Sequence, residues 1–118
     1  MLCEDEIAAR LPVWTALSDL FLDTELDERS YDHIAQVIRA AGLTGAQAHL
    51  ILETEVAPAF YVNFAAGEWA GWPEASVRTE VLRYLNGGWF RRGCARLGAR
   101  ISRAMYWDAW SEVARRLD

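Results

Sequence analysis

With 118 residues, 53% hydrophobic and 25% charged, the chain is long enough to bury a core without disulfides or metal and too apolar for a disordered segment. A net charge of -5 argues against a general nucleic-acid binder, and no apolar run approaches the ~18 residues a membrane span needs. The start MLCEDEIAAR lacks the basic region of a signal peptide, and Cys3 and Cys94 stand in no metal or redox spacing, so a cytoplasmic protein with two reduced thiols is expected.

The stretch from Leu11 to Asp27 organises the chain. Val13, Trp14, Leu17, Leu20 and Phe21 recur on one face of a helix, while Asp19 and Asp23 lie opposite. Glu4 to Arg10 reads as a short helical turn before it, and Pro12 fits the first turn of the main helix, where a missing N–H costs nothing. That helix should run to about Leu22, with a turn over 23–27. Asp27 or Ser30 then caps a second helix with Tyr31, Ile34, Val37, Ile38 and Ala41 inward, stopped by Gly42.

Thr44 and Gln47 form a capping-box pattern for a third helix through Leu50, Ile51, Leu52 and Val56. Pro58 predicts a kink or restart, after which the dense apolar run AFYVNFAA resumes as helix. GEWAGWP, residues 67–73, is the clearest loop, with Trp69 and Trp72 anchoring it. Pro73 opens a fourth helix with Val77, Val81, Leu82 and Leu85 inward, closed by Asn86-Gly87-Gly88. From Trp89 onward Phe90, Cys94, Leu97 and Ile101 make a steady apolar stripe, on which Cys94 is expected to be a buried, inert thiol. The phase then slips to Tyr106, Trp110, Val113 and Leu117, which implies a break near Ser102 or a curved long helix. No segment alternates with a period of two, so the fold class is all-α: a single-domain bundle of about five to six helices, 1–118, without repeat or linker.

Chemistry is harder to find. Asp19 and Asp23, and His49 and Glu53, are i, i+4 pairs that could converge with Glu55 into a helical metal or hydrolytic site. The repeated Glu-x-x-His motif of such sites is absent, no nucleophile elbow or phosphate loop occurs, and neither a cofactor nor a metal nor a catalytic residue is expected. Charge is more telling. Residues 1–59 carry a balance of -8 and residues 60–118 one of +3, with every basic residue an arginine. Arg92, Arg96, Arg100 and Arg103 step by 4, 4 and 3 along one face, where they could hold phosphates or an acidic partner, or pair with acids of the chain itself. Asp19, Asp23, Glu25, Asp27, Glu28 and Asp32 could form a negative surface complementary to a cationic cleft. Trp14 and Trp110 read as core; Glu68, Trp69 and Trp72 read as partner-facing.

The opening, with Val13, Trp14, Leu17, Ser18, Phe21, Leu22, Asp23, Thr24 and Glu25, resembles that of a family of small uncharacterised bacterial proteins. Glu55, Pro58, Asn63, Gly67, Glu68 and Trp69 continue the likeness, which covers about two thirds of the chain. The resemblance implies a bacterial origin and a helical fold, and transfers no catalytic residue. By analogy with small acidic bacterial antagonists of secreted toxins, the expected function is a non-enzymatic interaction module, an immunity-type protein acting as monomer or homodimer. Its partner would be another protein, with neither nucleic acid nor membrane involved.

Overall fold

The computed structural model describes residues 2–22, 26–62 and 71–117. They form helix α1 (Glu4–Ser18), a 3₁₀ turn (Asp19–Phe21), α2 (Glu28–Ala40), α3 (Gly45–Ile51), a π segment (Leu52–Val56), α4 (Ala57–Phe60), α5 (Glu74–Leu85), α6 (Trp89–Ile101) and α7 (Arg103–Leu117). The described residues contain no strand. The all-α expectation holds.

α1 is the central helix, packed against α2, α5 and the π segment. Its expected inward set is fully or nearly fully buried: Val13, Trp14, Leu17, Leu20 and Phe21. The start of the helix corrects the sequence reading, since α1 begins at Glu4 and carries Pro12 in its interior. Pro12 has no N–H for the Ala8 carbonyl, yet both residues lie on the exposed side, where solvent satisfies that carbonyl. The polar Ser18, fully buried at the end of the helix, donates its hydroxyl to the Thr15 carbonyl at 2.7 Å.

Local capping follows sequence closely. The Asp27 carboxylate accepts from the Ser30 N–H at 3.0 Å, and α2 ends at Gly42 with φ of 75°. There the Gly42 and Leu43 N–H groups bond back to Arg39 and Ile38, a left-handed stop that a side chain would strain. Ile34 and Ile38 are buried, whereas Ala41, read as inward, is exposed at that stop. The Thr44–Gln47 box is made in both directions, at 3.1 and 2.9 Å.

Pro58 produces more than a kink. Helix α3 widens into the π segment, the Ala57 N–H reaches five residues back to Leu52, and α4 starts with Pro58 in its first turn. Widening ahead of the proline avoids the clash a continuous α-helix would suffer. Ile51, Leu52 and Val56 are buried, while Leu50, expected inward, is exposed. Within the run AFYVNFAA, Ala59 and Phe60 are helical and Tyr61 and Val62 form a turn; its residues from Asn63 lie outside the described set.

Two results reshape the C-terminal third. The chain does break at Ser102, giving two helices, and α7 packs on α2 with Tyr106, Trp110 and Val113 buried. The Phe90–Cys94–Leu97–Ile101 stripe of α6, however, faces outward. Trp89, Phe90, Leu97, Ile101 and, at the start of α7, Met105 are 80, 67, 60, 75 and 61% exposed, and Cys94 is exposed with them. The inward side of α6 is built from small residues instead: Ala99 is buried and Ala95 and Gly98 are half-buried. A Cβ on Gly98 would lie 2.4 Å from the Tyr61 ring, so the absent side chain is what admits that ring against the helix.

Candidate functional site

Three regions collect polar chemistry. The first is built on α1. Arg10 and Trp14 stand one turn apart and both reach Glu55 of the π segment: Arg10 Nη1 donates to it at 2.5 Å and Trp14 Nε1 at 2.8 Å. Glu55 is only 12% exposed and Trp14 is fully buried, so this is a buried carboxylate held by one charged and one neutral donor. It borders an 860 Å³ groove between α1, α5 and α6, into which Arg92 also faces. The pairing was signalled locally, because Glu55 falls on the same helical side as Ile51 and Leu52, and a carboxylate on a core stripe needs a buried partner.

The second region joins the π segment to α7. Glu53 Oε1 lies 3.1 Å from Arg103 Nη2 and 2.9 Å from His49 Nε2. The His49 contact is not aligned as a hydrogen bond, and the ring is held instead against Trp107 and Trp110, with centroids 5.6 Å away in each case. Arg103 stacks over Trp107 at 4.4 Å. Arg96, Arg100 and Arg103 line one 350 Å³ cavity here, with Glu53 and Tyr106 on its wall. Burial, reinforced by Glu53, holds the Tyr106 phenol above its ordinary pKa, so it is protonated at neutral pH.

The third is the acidic N-terminal surface. Arg116 of α7 sits among Glu28, Asp32 and Glu112, pairing with Asp32 at 2.7 Å and with Glu28. Asp27 is engaged as the α2 cap, and its carboxyl is held below the usual range by the Ser30 N–H and hydroxyl. Asp19 is half-buried beside Gly71, and loss of water raises its pKa despite the opposing influence of His33. Asp23 and Glu25 lie outside the described residues, as do Glu68 and Trp69; Trp72 packs on Phe60 with ring centroids 4.8 Å apart.

Of the convergence considered for Asp19, Asp23, His49, Glu53 and Glu55, only His49 and Glu53 lie together, at 2.9 Å, and Asp23 is outside the described residues. Two residues apart on the widened π segment, Glu53 turns to Arg103 and Glu55 to Arg10, while Asp19 stands by Gly71. No group of three His, Cys, Asp or Glu able to hold a metal occurs among the described residues. Of the arginine stripe, Arg103 meets an acid of the N-terminal half, while Arg92, Arg96 and Arg100 make no ion pair among the described residues. The link between the carboxylates of α2 and the basic end of the chain runs through Arg116 instead.

Asp19 gives a pH-dependent prediction. Its proton is bound more tightly in the folded than in the unfolded chain, so its contribution to stability falls as pH rises from the unfolded value of 3.8 through the raised folded value. Asp19→Asn is therefore expected to raise the thermal midpoint at pH 7, with the gain vanishing below pH 3.8. Melting curves of both proteins across that range check it, and a variant less stable at pH 7 contradicts it.

No helix among the described residues is long and apolar enough to cross a membrane. No curated protein and no solved structure matches the chain. Residues 8–116 match a family model, and on that coverage the chain belongs to the family described as a domain of unknown function (DUF7079).

Proposed function

We propose that this protein is a non-enzymatic protein-interaction module whose docking face is the outer side of α6. The observation that carries it is the exposed ridge of Phe90, Leu97 and Ile101, flanked by arginines on a helix that has no acidic residue. Large apolar side chains grouped on a surface are costly to keep in water unless something covers them. Arg91 and Arg100, exposed on either side of the ridge, give that cover its sign: the complementary partner offers an acidic amphipathic helix, apolar residues on the ridge and carboxylates toward the guanidiniums. A second copy fits poorly. Pairing α6 with α6 would bring the flanking arginines of one copy against those of the other, and pairing it with the acidic surface of another copy makes a contact that does not close. The acidic surface is the weaker docking face, because Glu28 and Asp32 are already gathered around Arg116.

An immunity-type role, with the partner a toxin whose active site is covered, is the specific form of this reading. It adds the requirement that the captured protein be inhibited.

The test uses the wild type and Leu97→Ser/Ile101→Ser as baits, followed by titration of the purified captured protein. Removing two apolar anchors is expected to weaken binding about 100-fold, with unchanged circular dichroism. Equal binding by both baits overturns the proposal, above all if Glu28→Arg/Asp32→Arg abolishes it. Co-sedimentation with phosphatidylserine vesicles, lost in the serine variant, overturns it in favour of a membrane surface.

A further inference from the structure

We propose that the cavity where the π segment meets the α6–α7 junction binds a phosphate group through Arg96, Arg100 and Arg103. The three guanidiniums line one 350 Å³ space, brought together by the 4 and 3 residue steps along α6 and across the Ser102 break. Arg100 borders both the cavity and the docking ridge, but this inference rests on the cavity and not on the exposed apolar side chains.

Charge selects the ligand class. Three arginines and the single carboxylate of Glu53 leave a surplus of two positive charges on the wall, which a phosphate monoester near its dianionic form offsets and a carboxylate does not. Glu53 does not neutralise the site, because its one charge is paired with Arg103 Nη2 at 3.1 Å and leaves the other guanidiniums uncompensated.

The donors are also held in advance. Arg96 gives its Nε–H to the Tyr84 hydroxyl at 2.9 Å, which fixes the guanidinium and leaves its terminal N–H groups available. Arg103 is flattened on the Trp107 ring and tied to Glu53 through Nη2 alone. Arginine forks positioned this way lose little further freedom when they close on an oxyanion. The buried Tyr106 phenol supplies a neutral donor on the same wall. Ala99 contributes only a methyl group to the α6 side, so the space stays open, and its volume exceeds that of a bare phosphate ion. The ligand is therefore a phosphoryl group with something attached, either a free phosphate ester or a phosphorylated side chain.

The test is calorimetric titration of the full chain with inorganic phosphate, O-phosphoserine, a phosphoserine peptide and glutamate. Saturable binding of phosphate and phosphoserine is expected, with glutamate at least about tenfold weaker. Arg100→Gln, an exposed position, should lose about tenfold or more in affinity, the worth of one charge-assisted contact. Arg83→Gln, which removes a guanidinium paired with Glu80 outside the cavity, should bind as the wild type does. Tighter binding of the peptide than of O-phosphoserine assigns the group to a phosphorylated protein, and equal binding assigns it to a free ester. Absence of saturation, glutamate binding as well as phosphate, or equal losses in Arg83→Gln and Arg100→Gln each overturn the site. The Leu97→Ser/Ile101→Ser protein should bind phosphate as the wild type does, so failure of the docking face and failure of this cavity read out separately.

Discussion

Trp14→Ala is expected to cost about 4 kcal/mol, the loss typical of removing a large aromatic ring from a core that cannot collapse around the gap. Trp14 is the largest of the fully buried side chains and sits on the helix that touches α2, α5 and the π segment at once. The substitution also removes the indole N–H from Glu55, leaving that carboxylate with Arg10 alone. A domain of this size has a total stability of roughly 5–15 kcal/mol, so the variant should be marginal at 37 °C. Urea unfolding followed by circular dichroism measures it, the midpoint falling steeply at an unchanged slope. Trp14→Phe should recover most of the packing and none of the hydrogen bond. A loss under ~1 kcal/mol for the alanine variant would mean that α1 is not the packing centre.

That centre was legible because several local rules agreed over the same residues. The spacing of Val13, Trp14, Leu17 and Phe21 gives a helix and names its buried side, and Thr44–Gln47, Asp27 and Gly42 mark helix ends by chemistry confined to one turn. The Pro58 restart is equally local. What failed was not the detection of helices but the assignment of which side faces in. On α6 the periodic signal came from Phe90, Leu97 and Ile101, and periodicity reports that an apolar side exists, not what covers it. The side that packs on Tyr61 is made of Ala95, Gly98 and Ala99, residues too small to register as a core stripe. Proline costs least at a helix start, which is where sequence alone puts Pro12, whereas its exposure makes the interior tolerable. The arginine stripe was legible as a line on one helix. The break at Ser102 is signalled by the phase slip after Ile101, but closure with Glu53 and Tyr106 into a cavity depends on how the widened π segment packs beside that junction, which no local pattern specifies.

Glu55 carries the prediction that separates a structural from a functional carboxylate. Its two donors differ in what they lose when it is removed. Arg10 is 35% exposed and can turn to water, so little is lost there. Trp14 Nε1 belongs to a fully buried residue and would be left without an acceptor, a cost of about 1–3 kcal/mol. Glu55→Ala should therefore destabilise by about 3 kcal/mol once the lost packing is added. Glu55→Gln, which keeps an oxygen for the indole, should lose less than half as much. Arg10→Ala leaves a mostly buried carboxylate with one neutral donor beside the 860 Å³ groove. Water reaching it through that groove limits the loss to roughly 1–2 kcal/mol. The double variant should then be more stable than the two single losses imply, because each single variant strands a partner that the double one removes. Denaturant unfolding of the four proteins gives the cycle directly. A carboxylate kept under strain for binding or catalysis would behave in the opposite sense, with Glu55→Ala or Glu55→Gln more stable than the wild type. That sign, read before any ligand is known, decides whether the groove beside α1 is a working site or the edge of the core.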